Sequence, residues 1–239
     1  MRATIIIPAI NEASHIEGAV DSAWRAGASE VIVVDGGSQD GCDQLAEQSN
    51  CRLLRSPPGR ACQQNAGAAA ATGDVLVFQH ADSYFAAGAL AQLTERATDP
   101  AAQCGAFYQR IDADGVRYRL LERGNASRVR RLGVAYGDQG IFVRRELFEQ
   151  IGGFPEVRLL EDLLLLKELR RHSWPQLLPG PLHISARRWQ QNGVIRQTLR
   201  NWRILMAYKL GVKPDDLVKH YPRHDNRRDS TDERADSAR

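Results

Sequence analysis

Apolar and polar positions along the first hundred residues fall into blocks of two kinds. Residues 4–8 form a β-branched run closed by proline, and residues 31–34 and 75–78 are unbroken apolar runs of strand length. Residues 13–26 instead repeat apolar side chains at helical spacing, through Ile16, Val20 and Trp24. Residues 40–48, the alanine-rich 60–71 and 87–97 also read as helices, and 52–54 as a short strand. Continuous apolar strands separated by helices predict a parallel sheet covered on both faces, with right-handed crossovers.

The second part is less regular. Residues 105–111 and 141–143 read as strands, 145–151 and 161–171 as helices, and Gly152-Gly153-Phe154-Pro155 as a turn. Residues 117–131 carry six Arg against one Glu, in helical or loop context. Residues 189–210 are expected to be one long amphipathic helix. Val194, Ile195, Leu199, Trp202, Leu205 and Met206 share one face and Arg196, Arg200 and Arg203 lie opposite. From residue 222 onward the chain is charged and holds only two alanines as apolar side chains, so 223–239 is expected to be a disordered tail.

Charge changes this picture more than composition does. The net charge of +3 hides a split: residues 1–100 hold 6 Lys+Arg against 12 Asp+Glu, and residues 101–222 hold 21 against 12. Opposite halves imply different partners. No apolar run approaches the ~20 residues that span a bilayer, and the run at residues 5–10 is too short for an export signal. Cys42, Cys51, Cys62 and Cys104 contain no C-x-x-C pair, so they fit neither a zinc nor a redox motif and read as reduced thiols of a cytoplasmic protein.

In open parallel sheets ligands bind beyond the carboxyl ends of the strands. Four polar or glycine-containing segments fall there: Pro8-Ala9-Ile10-Asn11-Glu12, Asp35-Gly36-Gly37-Ser38-Gln39-Asp40, Arg60 to Gly67, and Gln79-His80-Ala81-Asp82-Ser83. Each alone is ordinary turn chemistry, but four on one rim point to a ligand site. These segments carry a resemblance. IIIPAINE, VVDGGSQD, GRACQQNAGAAAATGDVLVFQHADS, LLEDLLLLKEL and SARRW occur in the order and at the spacing of the motifs of family 2 glycosyltransferases. Over roughly residues 3–210 the chain resembles the short bacterial members of that family, which have the GT-A fold.

The resemblance implies an α/β fold of GT-A type: a mostly parallel central sheet flanked by helices, with a C-terminal amphipathic helix. One domain would cover 1–222, with a nucleotide-sugar-binding half (1–100) and an acceptor-side half (101–222). It also implies an inverting transfer from a nucleotide-diphospho-sugar, a UDP-sugar by preference, to a hydroxyl acceptor such as a lipid or envelope glycan. Pro8, Ala9, Glu12, Asp35, Gly36, Gly37, Arg60, Asn65, His80 and Ala81 would bind the nucleotide, with Asp35 holding the imide of the base. Arg60 would neutralise Asp35 or reach a phosphate, while Asn65 is equally read as helix packing and Gly67 as close approach to the sheet. Asp82 would hold Mn2+ or Mg2+ on the diphosphate, and Asp162, with Glu161 second, would be the general base. Asp138, Gln139, Arg188 and Trp189 would serve the diphosphate and acceptor. Asp138 reads equally as a turn former, and Trp189 as a core anchor.

One departure stands out. The family's D-x-D is His80-Ala81-Asp82 here, which leaves His80 as a ribose contact, a ligand favouring Mn2+, or a strand-end histidine bonded to backbone. Other classes compete less well. A sugar-phosphate nucleotidyltransferase carries a glycine-rich loop after its first strand, and the loop here, PAINEASH, has none. A nucleic-acid binder would interleave its arginines with aromatics, which this chain does not do. A non-catalytic nucleotide-sugar binder stays open because of His80. No acid occurs between Leu169 and Pro214 while nine Lys or Arg do, so the C-terminal helix suits either a core helix with a solvated face or the anionic inner face of a membrane.

Overall fold

A computed structural model of the chain describes residues 1–218, except for the side chains of 188, 191, 192, 194, 195, 197 and 198; the expected tail at 223–239 lies outside the described residues. Among these residues eight strands form one sheet in the order β3-β2-β1-β4-β7-β6-β8-β5. The first four are β1 (Ala3–Ala9), β2 (Glu30–Asp35), β3 (Arg52–Arg55) and β4 (Val75–Phe78). All pair in parallel, with β1 between β2 and β4. β5 (Ser83–Phe85), β6 (Cys104–Asp112), β7 (Ile141–Arg144) and β8 (Gln176–Ser185) complete the sheet. There β4–β7, β7–β6 and β8–β5 are antiparallel and β6–β8 is parallel. The sheet is therefore mostly parallel: only β7 and β5 run against the other six strands, and the first reversal falls at β4/β7.

The alternation of side chains along the strands separates two cores. Ile5, Ile7, Val31, Val33, Val75 and Val77 face one layer, where they meet Ile16, Ala19, Val20 and Ala23 of α1 (Ile16–Ala26) and Cys42 and Ala46 of α2 (Cys42–Gln48). Ile6, Ile32, Val34, Leu76 and Phe78 face the other layer. They pack on α3 (Arg60–Ala70), Leu147 and Phe148 of α6 (Arg145–Gln150), and Leu165, Leu166 and Leu169 of α7 (Glu161–Leu169). Phe78 also meets Phe154 edge-on at 4.8 Å, seating the turn after α6 on the sheet. Burial pushes the Cys42 and Cys51 thiols up to about 11, so both are unreactive near neutral pH.

Three expectations need correction. The helix expected over 87–97 is only α4 (Ala91–Glu95). β8 was not expected at all: Pro179, Gly180 and Pro181 interrupt its pattern, and they occupy the register shift between Phe107 and Gln109 of β6. Proline cannot donate to a ladder, so it is tolerated at such an irregularity. The long helix is two, α8 (Arg187–Asn192) and α9 (Val194–Lys209), divided at Gly193, whose φ of 75° no helix accommodates. The arginine-rich segment is helical, as α5 (Val116–Leu132), and a short α10 (Pro214–Leu217) follows α9.

α3 lies close against β1 and β2 because Gly67 has no side chain: a Cβ there would meet Ile6 Cγ2 at 2.4 Å and Val34 Cγ2 at 3.1 Å. Gly67→Ala should therefore destabilise the fold by about 1–3 kcal/mol through overpacking. A lowered midpoint in chemical denaturation checks this.

Candidate active site

The four parallel strands end on one rim, where the loops after β1 and β2 are tied together. Gln63 of α3 is buried and donates from Nε2 to Ala9 O (2.9 Å) and Val34 O (2.8 Å), joining the ends of β1 and β2. The Asn11 N–H donates to Ser38 Oγ, the Gln39 N–H to Asn11 Oδ1 and the Ala13 N–H to Asp40 Oδ2, each at 2.9 Å. Asn11 sits at φ 54°, a left-handed conformation that asparagine tolerates. These latches were not anticipated from sequence. Asp35 is buried at the end of β2. Its carboxylate accepts from the Gly37 N–H (2.8 Å), the Ser38 N–H (3.1 Å) and the Ser38 hydroxyl, so it shapes its own loop as well as facing the rim. Gly36 packs against Ile10 and Gln63, and Gly37 is exposed. Ala9 is buried and Pro8 and Glu12 partly so.

The turn after β4 is built to project His80 and Asp82. Ser83 returns both its N–H (3.1 Å) and its hydroxyl (2.8 Å) to His80 O, and the buried Gln79 side chain donates to Ser83 O at 2.7 Å. Ala81 is buried beneath the turn while Asp82 is partly exposed. The Tyr84 phenol is pushed up by burial and then by the charges of Asp82, Glu12 and Asp112, which marks an electronegative corner. Among the described residues no three His, Cys, Asp or Glu side chains converge as a metal site. One hard oxygen donor (Asp82) and one imidazole (His80) still fit a divalent ion that takes its remaining ligands from substrate oxygens.

The other wall comes mainly from the second half of the chain. Arg60, His80, Tyr136, Gly137, Asp138, Leu159, Leu160, Glu161, Asp162, Trp189, Asn201, Ile204 and Leu205 line a pocket of about 140 Å³. Leu160 enters α7 at φ 67°, a strained geometry for leucine that costs on the order of 1–3 kcal/mol and is characteristic of functional positions. It directs Glu161 inward, where Glu161 is buried with its carboxylate 3.7 Å from Arg60. Arg60 thus pairs with Glu161 rather than Asp35. Asp162 accepts from the Gly137 N–H on one oxygen and the Leu163 N–H on the other, both at 2.7 Å. Its pKa is pushed up to about 6, first by burial and then by Glu161, against the opposing pull of the two N–H groups and Arg60. His80 approaches the same point, since a Cβ on Gly137 would meet His80 Nε2 at 2.7 Å and Asp162 Oδ2 at 3.6 Å. His80 therefore faces the Asp162 wall as well as the rim.

Two expected site residues, Asn65 and Gln139, bond within the fold. Asn65 pairs both ends of its amide with the backbone of Phe154 at 2.9 Å and so clamps the turn after α6. Gln139 is buried, and its Oε1 accepts from Arg128 Nη2 (2.6 Å) and the Tyr136 N–H (3.2 Å), away from the pocket. The Arg188 side chain lies outside the described residues. Trp189 both lines the pocket and packs on the core beneath it. In the sequence Arg128 is one arginine of a basic run. Its guanidinium stacks 3.9 Å over Tyr136 and bonds Gln139, Asn125 and Val134, so it fixes the Gly137–Gln139 turn that donates to Asp162.

Residues 4–152 match the family profile described as Glycosyl transferase family 2. The chain belongs to that family. Solved glycosyltransferase structures share the GT-A fold of this family 2 chain. S. aureus TarS 1–349 in complex with UDP is 18% identical, with a TM-score of 0.62 over 77% of this chain and 60% of that one. The mannosyltransferase PcManGT from Pyrobaculum calidifontis, in complex with GDP-Man and Mn2+, is 22% identical, with a TM-score of 0.59 over 87% and 61%. Glucosyl-3-phosphoglycerate synthase from Mycobacterium tuberculosis, with Mn2+, UDP and glucosyl-3-phosphoglycerate, is 23% identical, with a TM-score of 0.53 over 77% and 70%. The chain spans 37% of one solved TarS chain and 61% of TarS 1–349. No curated protein matches it in sequence.

Because Arg128 holds the turn that orients Asp162, Arg128→Met should cost about 2 kcal/mol of stability through lost charge-assisted hydrogen bonds, measured by chemical denaturation.

Proposed function

We propose that this family 2 protein moves a sugar from a nucleoside-diphospho-sugar to an acceptor hydroxyl with inversion at C1, and that Asp162 is the general base. The observation that carries this reading is the state of Asp162. It is a carboxylate at a pocket wall, oriented by two backbone N–H groups, with its pKa raised to about 6 where ionised and protonated forms are both accessible near neutrality. In the transfer the acceptor hydroxyl loses its proton to Asp162, the acceptor oxygen bonds to C1, and the bond from C1 to the diphosphate oxygen breaks with its electron pair leaving on the diphosphate.

Donor binding falls to the opposite rim. Pro8, Ala9, Glu12 and Asp35, on the latched loops, hold the nucleoside, with Gly36 and Gly37 allowing the backbone close to it. The acidic acceptor Asp35 suits the imide N–H of uracil, which favours a UDP-sugar; TarS and glucosyl-3-phosphoglycerate synthase, both solved with UDP, support that preference. Asp82 with His80 would hold a divalent ion, with His80 tilting the preference to Mn2+. When bound, the ion would supply charge neutralisation at the departing diphosphate. Arg60, restrained by Glu161, adds a second positive charge at the pocket between the rim and Asp162. Asp138 and Trp189 bound the space left for the acceptor. The described and remaining residues 1–222 act as one catalytic domain in this reading.

The ionised base is the active form, so turnover rises with pH through about 6 and levels above it. Asp162→Asn should lower transfer or donor hydrolysis by about 10²–10⁴-fold and abolish that acidic limb. The variant should still be stabilised in a thermal-shift assay by UDP-sugar with Mn2+, by ~2.7 kcal/mol at a hundredfold excess over Kd. Asp82→Ala should lose the Mn2+ dependence of that stabilisation. Unchanged turnover in both variants would overturn the assignment.

A further inference from the structure

Opposite faces of α9 have different surroundings. Its inner face supplies Asn201, Ile204 and Leu205 to the pocket, and Ile204 is buried with Leu159 and Leu217 in a small separate core. Its outer face is apolar and open. Leu199, Trp202, Met206 and Leu210 are 59%, 67%, 51% and 80% exposed, and Val212 continues the surface at 40%. At 100° per residue, positions 199, 202, 206 and 210 fall on one line along the helix, and Arg196 and Arg203, both exposed, flank it. Lys209, also exposed, lies on the other flank. The core-helix reading, one of the two expected, with the apolar stripe inward and the arginines in solvent, holds at Leu205 but not at Leu199, Trp202 or Met206.

An apolar line with basic margins has the form of a helix that lies in a lipid interface, its leucine and tryptophan side chains in the acyl boundary and its arginines at anionic headgroups. We propose that the outer face of α9 docks on an anionic lipid bilayer. Charge selects that occupant. Arg196, Arg203 and Lys209 flank the stripe and α9 carries no acid, so a second copy set face to face would oppose like charges. Residues 222–239 contain no large apolar side chain that would cover the stripe. Among the described residues no helix is long and apolar enough to cross a membrane, so docking is peripheral. Docking does not depend on donor chemistry. It gives the proposed reaction its geometry: one helix, about 10 Å thick, separates the pocket from the lipid surface. An acceptor carried by an amphiphile is the substrate class this favours.

The test is flotation of the full chain with vesicles of phosphatidylglycerol and phosphatidylcholine, compared with phosphatidylcholine alone. Binding should require the anionic lipid and be lost at high salt. Two variants, Leu199→Ser/Trp202→Ser/Met206→Ser and Arg196→Gln/Arg203→Gln, should each bind about tenfold more weakly or less, while keeping the wild-type melting temperature and donor-induced thermal shift. Absence of wild-type binding to anionic vesicles at low salt, equal binding by the variants, or a stable dimer dissociated by the triple variant would overturn the proposal. If the donor shift persists while vesicle binding is absent, docking alone fails. If vesicle binding persists while no donor shift is seen, the donor assignment alone fails.

Discussion

Apart from Arg60 at the start of α3, the residues proposed to touch the donor stand at or just beyond the carboxyl ends of β1, β2 and β4, and that requires these strands to run in parallel and stop together. Parallel strands bring their following loops to one edge, where uncompensated backbone groups and short polar side chains can meet a ligand. An edge of separate loops would be too mobile to hold a nucleotide. The Gln63 amide counters this by bonding two strand-end carbonyls at once, and Asn11, Ser38, Gln39 and Asp40 lace the first two loops together. The loops after β1 and β2 are held together because they share these hydrogen bonds.

The change of strand direction at β4/β7 sets the second wall. An antiparallel neighbour brings its preceding segment, Tyr136 to Gly140, to the end of β4, opposite His80 and Asp82. That segment is short and contains two glycines, and its shape comes from Arg128, which donates to Gln139 Oε1 and stacks on Tyr136. The reward is one N–H aimed at Asp162. Burial raises the pKa of that carboxylate while two N–H groups keep it oriented, which is what a base acting near neutral pH needs. Several arginines of the basic half serve the fold in the same way: Arg119 bonds Ile111 O and Ala113 O, Arg144 bonds Ala97 O and Arg170 bonds Leu132 O. The excess charge of residues 101–222 is therefore partly internal scaffolding, and the part left on α9 borders an apolar face.

What could be read from sequence follows from how local each signal is. Strands at 4–8, 31–34 and 75–78 were legible because both of their faces are buried, leaving unbroken apolar runs. The motifs IIIPAINE, VVDGGSQD and LLEDLLLLKEL located the rim and Asp162, since each sits next to its own strand or helix. β8 was not legible, because its prolines lie at a register shift that only the partner strand explains. Gln63 and Arg128 were invisible for another reason: an amide and a guanidinium look like surface residues until their partners are known, and those of Gln63 lie 54 and 29 positions away. Gly193 went unread as a break because the apolar pattern continues across it. The outward turn of the α9 stripe was not legible either, since periodicity finds a face but not what it faces.

The central claim is that a donor diphosphate and its ion lie between the strand rim and Asp162, anchored through Asp82. The most direct measurement is anomalous diffraction from crystals grown with UDP and Mn2+. The account predicts a manganese peak in contact with the Asp82 carboxylate and the diphosphate, with the uracil beside Asp35. A peak coordinated elsewhere, or UDP bound away from the ends of β1, β2 and β4, would contradict it.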